Sequence, residues 1–216
     1  MFRRRISLSL SAAAAVLVGA PLLTACGSEA HPGAAAVVDG ERITVSHVQA
    51  QVRAVRDAQG EDEQGAELVE NTGQLTRGTL GTLVFQRVLE RAAEDAGVEI
   101  TRSDVQRARA EAERNVGGAE RLEEMMIRQR AVAPERIDEA VRAQVLVQKL
   151  AEKLGADLRT PQGQQAMTEV LAETSEKMDV TINPRYGAWD DKEITLVDTE
   201  EPWIRNVSGP GPQQPA

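Results

Sequence analysis

Between Thr44 and Met178 the apolar positions recur with a helical period. Val45, Val48, Val52 and Val55 stand three or four residues apart and fall on one face of a helix over 44–59. Thr44 supplies its N-cap oxygen and Gly60 ends it. The acidic, glycine-punctuated stretch 60-GEDEQGAELVENTG-73 reads as a surface loop. A wide stripe then begins with Leu80, Leu83, Val84, Val88 and Leu89 and continues through Ala92, Ala93 and Ala96, predicting a long helix over 74–96. Gly97 stands where a left-handed C′ residue belongs, with Val98 as the accompanying hydrophobic contact. A third helix, 102–115, opens on 101-TRSD-104, a capping box with Asp in place of Glu, and carries Val105, Ala108 and Ala112. After the Gly117-Gly118 break, a fourth over 119–130 bears Leu122, Met125 and Met126. The fifth, 134–154, has Pro134 in its first turn and is apolar around most of its middle, from Ile137 and Val141 to Leu150 and Leu154. Such a helix is expected to be central and covered by neighbours. A sixth, 161–178, opens on Thr160-Pro161 and lines up Met167, Val170, Leu171, Thr174 and Met178.

Two stretches break the helical period. In 34-AAAVVDGERITVS-46 the Asp39-Gly40 pair is a tight-turn signal between short extended runs, predicting strand structure near 36–43. In 180-VTINPRYGAWD-190, Val180 and Ile182 alternate with polar residues, predicting a strand near 179–185. A lone strand leaves its backbone groups unpaired, so this one needs a partner. Beyond Trp189, 194-ITLV-197 is a possible short strand, and 191–216 as a whole reads as an extended or disordered tail rich in Pro and Gly. The pattern describes a mostly α domain over 34–190 with a small sheet.

The first 25 residues do not belong to that domain. Three arginines precede an apolar run, Ile6 to Leu23, which reads as a signal peptide over 1–25. Leu23-Thr24-Ala25-Cys26 resembles a bacterial lipobox, which implies lipidation of Cys26, with 26–33 as a polar tether. Removing 1–25 takes away three arginines and no acid, so the net charge of −9 becomes −12. That surface repels phosphate backbones and anionic headgroups, so the membrane is expected to be held by lipid, and nucleic acid is not an expected partner.

Catalytic residue types are scarce. The chain has 1 Cys, assigned to the lipid, and 2 His, His31 and His47, far apart. No HExxH pair or Ser-His-Asp set can be assembled, and Gly78 and Gly81 sit within an apolar helix without the lysine of a phosphate loop. The acidic runs Glu61-Asp62-Glu63 and Glu123-Glu124 read as solvated surface rather than a metal site. Neither an enzymatic activity nor a cofactor or metal is expected.

The order of elements is itself informative. The strand-turn "VVDGERIT", the long helix ending "AAEDAGVEIT", the "SDVQ" helix, the glycine break and "VRAQVLVQKL" together resemble the N-terminal chaperone module of SurA-type and PrsA-type foldases, from about Ala34 to Leu154. The resemblance implies a helical bundle of the SurA/trigger-factor peptide-binding type. It also implies that 161–187 is the piece that returns to complete the module, with Val37-Val38 as the partner of Val180-Ile182. In that family a parvulin-type isomerase domain of on the order of 90 residues follows these helices; here the connector is 156-ADLRT-160. The function implied is therefore holding alone: ATP-independent binding of unfolded or newly exported polypeptides by a lipoprotein on the outer face of the cell membrane. The alternative is a structural lipoprotein that binds one specific envelope partner. Leu122, Met125, Met126 and Val132 are candidate peptide-binding residues, since Met is soft and adaptable at promiscuous surfaces. The competing assignment places the Met pair in the core beneath the fifth helix. Tyr186, Trp189 and Trp203 are read as sealing the C-terminal wrap.

Overall fold

The computed structural model describes residues 32–60 and 65–198, excluding the side chains of 65–71. The leader, Cys26, the tether through His31 and the tail from Thr199, with Trp203, lie outside the described residues. The chain folds as β1 (Ala34–Val38), β2 (Glu41–Thr44), α1 (Val45–Gln59), α2 (Gly65–Asp95), α3 (Arg102–Val116), α4 (Ala119–Arg130), α5 (Ile137–Leu154), α6 (Pro161–Lys177), β3 (Thr181–Ile182), β4 (Ala188–Asp190) and β5 (Thr195–Val197).

β1 and β2 form the expected hairpin: Val38 pairs with Glu41 across Asp39-Gly40, whose φ values of 51° and 75° suit a type I′ turn. The strand after α6 finds its partner at the other end of the domain. β3 lies antiparallel to β1, with Ala36 opposite Ile182 and Val37 opposite Thr181, giving a sheet of order β2-β1-β3. Flanking bonds lengthen this two-residue ladder: Asp39 N–H donates to Met178 O at 2.7 Å, and Asn183 N–H to Ala35 O at 2.9 Å. All five residues of β1 are buried, as expected of a central strand covered on both faces. Pro184 stands just beyond Asn183, past the end of the strand, where its missing N–H removes no ladder bond.

The caps act as the sequence implies. Thr44 Oγ1 accepts from His47 N–H at 3.1 Å and Thr160 Oγ1 from Gly163 N–H at 3.1 Å. The Thr101/Asp104 capping box is complete in both directions. Lys149 of α5 reaches Asp104 Oδ2 at 3.0 Å and Glu99 O at 3.1 Å, so the start of α3 is clasped to α5. The Thr101 backbone N–H, then the Lys149 ammonium and the Thr101 hydroxyl, hold the Asp104 carboxyl well below the usual carboxylate range.

Three features differ from the sequence reading. α2 begins at Gly65 instead of 74, so most of the expected 60–73 loop is helical. Ala66, Glu67, Leu68 and Glu70 are good helix formers, and a nucleated 31-residue helix propagates through Asn71 and Gly73 at modest cost. Centrality also shifts: α2, with Leu80, Val84, Val88 and Leu89 fully buried, packs on α1, α5, α6, β1 and β5. α5 is buried on one stripe and ends with Leu154 exposed. Finally, the possible short strand at 194–197 is β5, and it pairs with β4 in an unforeseen hairpin, with Trp189 opposite Leu196, so the tail does not begin at 191. Trp189 Nε1 donates to Ser175 Oγ at 2.8 Å, and the buried Ser175 hydroxyl donates to Asp191 Oδ1 at 2.6 Å. A polar tether of this kind is invisible to hydrophobic periodicity.

The apolar interior has two parts. The larger joins the sheet, α1, α2, the second half of α5 and α6; Met178 and Tyr186 are buried in it. The smaller joins Leu122 and Met126 of α4 to Ile137, Val141 and Val145, with α3 laid over it through Val105, Ala108 and Ala112.

Candidate polypeptide-binding cavity

The α4–α5 connection crosses the boundary between these two cores. α4 ends at Ala131 in the left-handed conformation (φ 50°, ψ 42°), and Val132 N–H closes the turn on Met126 O at 3.0 Å. Ala133 is buried, and Pro134–Arg136 make a single 3-10 turn before α5. The turn sets Val132 above α1 and α2 and encloses an open cavity of about 320 Å³. Its apolar lining comes from Val55, Leu75, Leu83 and Val132, and Gln51, Gln74, Gln86, Thr79 and Thr82 add amides and hydroxyls. Arg130 and Arg136 stand at the lip; Arg136 is fixed by Gln86 Oε1 at 3.2 Å and Glu139 Oε2 at 2.6 Å.

α2 supplies most of the wall through one face. Leu75, Gly78, Thr79, Thr82, Leu83 and Gln86 follow the spacing i, i+3, i+4, i+7, i+8, i+11. This second stripe was missed in the sequence because Gly, Thr and Gln read as solvent-facing. The signal was present: four short or amide residues interleaved with two leucines at helical spacing. Such a lining suits an extended peptide. Apolar groups accept side chains, and glutamine amides can donate and accept, matching backbone N–H and C=O whatever the side chains are. It holds no nucleophile–base pair. Among the described residues no group of three His, Cys, Asp or Glu is placed to hold a metal ion, and no helix is long and apolar enough to cross a membrane.

The four candidate residues do not converge. Leu122 and Met126 are each 3% exposed and pack against α5, so their assignment to a peptide groove is corrected: their side chains fill the smaller core. Met125 is half-buried at the edge of that cluster. Val132 alone lines the cavity. A larger hollow, about 610 Å³, opens between α1 and α4, but Glu120, Glu123, Glu124 and Arg128 line it with only Ala58 and Ile127 as apolar surface. Tyr186 is buried and Trp189 packs against the core, as a seal of the C-terminal wrap requires.

The family model described as the SurA-like N-terminal domain, a chaperone-like family, matches residues 2–151. No curated protein and no solved structure matches the chain. The match takes in β1, β2 and α1 to α4 with nearly all of α5, and therefore every residue lining the cavity. With well over half of its length matched, the chain belongs to the SurA-like N-terminal domain family.

Proposed function

We propose that the protein is a membrane-anchored, ATP-independent holdase for unfolded or newly exported polypeptides, without prolyl isomerase activity. The observation that carries this reading is the cavity at the α4–α5 turn, with apolar surface in reach of one or two client side chains and amides in reach of the client backbone. A site of this size engages a short segment, so affinity for any one segment is weak and exchange is fast. That is the behaviour wanted of a holder that must release its client. Cys26, by the lipobox resemblance, would tie the domain to the outer face of the cell membrane, where exported chains emerge.

The test is aggregation of a chemically denatured client, followed by light scattering, with the chain from residue 26 onward. Suppression near equimolar ratio is expected, and Thr79→Arg, which puts a long charged side chain at the cavity wall, should abolish most of it. Absence of suppression, together with one stoichiometric partner from envelope extracts, would favour the dedicated interaction lipoprotein.

A further inference from the structure

Three hollows adjoin along α2. The cavity at the α4–α5 turn shares Gly78 and Thr82 with a hollow of about 330 Å³ beside the β4–β5 hairpin. It shares Leu83, Gln86 and Arg136 with another of about 420 Å³ beside β2. At Gly78 the wall between the first two lacks a side chain, and a Cβ built there meets nothing within 4 Å. From Arg77 to Glu90 α2 rises about 20 Å, the length of about six extended residues. A track that continues on both sides of the cavity admits the interior of a chain, whereas capture of a terminus needs a closed end.

The walls change character along this track. Phe85, Trp189, Ile194 and Leu196 line the hairpin hollow, and neither it nor the cavity has an Asp or Glu in its lining, in a chain with 34 acidic residues. The hollow beside β2 is polar, with Arg42, Arg87 and Glu90 on its walls. Arg136 stands where it meets the cavity. The Arg136 side chain is 20% exposed, and its Nη2 makes both of its bonds, to Gln86 Oε1 at 3.2 Å and Glu139 Oε2 at 2.6 Å. Its Nη1 and Nε have no partner among the described residues, so a guanidinium already held in place keeps a donor edge free. Arg87 is paired with Glu41, while Arg42 and Glu90 carry no ion pair among the described residues. Two guanidinium groups with unused donors therefore face one unpaired carboxylate.

We propose that the site selects internal client segments of about six residues that are apolar at one end and carry Asp or Glu at the other. The acid pairs with Arg136 and Arg42 while the apolar residues enter the cavity and the hollow beside Trp189. The proposal rests on the holdase reading of the cavity and adds its substrate class. A carboxylate on Arg136 makes a charge-assisted bond beside an apolar wall, where water screens it less than on open surface. A basic residue in the same place meets two guanidinium groups instead.

The experiment is fluorescence anisotropy with the chain from residue 26 and peptides of about eight residues, labelled at the N-terminus and amidated so that no terminal charge remains. They carry apolar residues at one end and Asp-Glu, Ser-Ser or Lys-Lys at the other, in both chain orders. A further peptide, apolar and neutral in its side chains, keeps its free C-terminal carboxylate. The acidic peptide is expected to bind about tenfold tighter than the serine one, with the lysine one weakest, and the spread should narrow as NaCl is raised. In Arg136→Gln the ratio of acidic to neutral affinity should fall towards one; Arg42→Gln, at an exposed position, should lower it too and serves if Arg136→Gln unfolds. Equal affinity for acidic, neutral and basic peptides overturns the proposal and leaves the cavity reading intact, as does an acidic preference that neither variant reduces. Tightest binding of the free-carboxylate peptide would make the site a terminus binder and overturns the proposal as well. Binding of none of the peptides contradicts the holdase reading and the proposal together.

Discussion

Ala131 pays a conformational penalty at the cavity's lip. An L-residue in the left-handed region is disfavoured by about 1–2 kcal/mol, and glycine removes that penalty while adding freedom to the unfolded chain. Ala131→Gly is expected to raise stability by roughly 0.5–1 kcal/mol, read as a higher urea midpoint with unchanged slope. Gly78 presents the opposite case. Gly78→Ala should stabilise α2 by roughly 0.5–1 kcal/mol yet weaken client binding, because a methyl would stand on the cavity wall. A variant that is both more stable and a weaker binder separates a functional glycine from a tolerated one. Residue-scale features that depend on neighbours in sequence were legible: Thr44, Thr101 and Thr160 as caps, Asp39-Gly40 as a turn, Gly97 as a left-handed terminator. The fate of Met126 was not. A helical period says that a face is covered, never by what, and only α5 decides that Met126 lies in a core.

At the scale of elements, the clasp between the start of α3 and Lys149 gives the fold a defined acid response. Asp104 has its carboxyl depressed in the folded chain and would titrate near 3.9 when unfolded. Between these values the unfolded state binds more protons, so stability rises with pH in that window. The contribution is complete above about pH 4 and is lost progressively as pH falls below it. Urea midpoints measured from pH 7 down to pH 3 should fall below pH 4 in the wild-type chain. Lys149→Met, which removes the ammonium contact, should make that fall shallower. Independently, Thr101→Ala removes the oxygen that accepts from Asp104 N–H and should cost about 1 kcal/mol at neutral pH. Elements with strong periodicity, α1 and α3 to α6, were readable within a few residues; the partner of the lone strand came from the family resemblance, with Ala36-Val37 in place of the expected Val37-Val38. The start of α2 and the pairing of β4 with β5 were not. Acidic residues with glycines look like loop, and the hairpin is held by Trp189, Ser175 and Asp191 across 16 residues of sequence, a tie that leaves no periodic trace. Gly187 adds to the clue of 194-ITLV-197: at φ 116°, a Cβ there would stand 2.2 Å from Val197 O, so Gly187→Ala should unseat the hairpin.

For the whole molecule, the pairing of β1 with β3 closes the domain between its two ends, and residues 155–160 connect α5 to α6, which also pack on each other. The α4–α5 turn, away from that sheet, keeps apolar surface accessible. The formal charge of −9 over the whole chain disfavours electrostatic attraction to polyanions, and on the proposed holdase reading client contact falls to the cavity's apolar and amide groups. On the proposed anchoring, Cys26→Ser in the producing cells should abolish incorporation of labelled palmitate and move the protein from the membrane fraction to the soluble one. The position of the cavity could not be foreseen, because it arises where two cores meet and its wall is made of residues that read as surface.

The measurement nearest the central claim is photocrosslinking of an unfolded client from single sites in the chain from residue 26, with p-benzoylphenylalanine at Thr79, Val132 or, as a core control, Met126. The account expects crosslinks from Thr79 and Val132 and none from Met126, at client concentrations where aggregation is suppressed. Suppression of aggregation with no crosslink from Thr79 or Val132 would place binding elsewhere and contradict the cavity as the site.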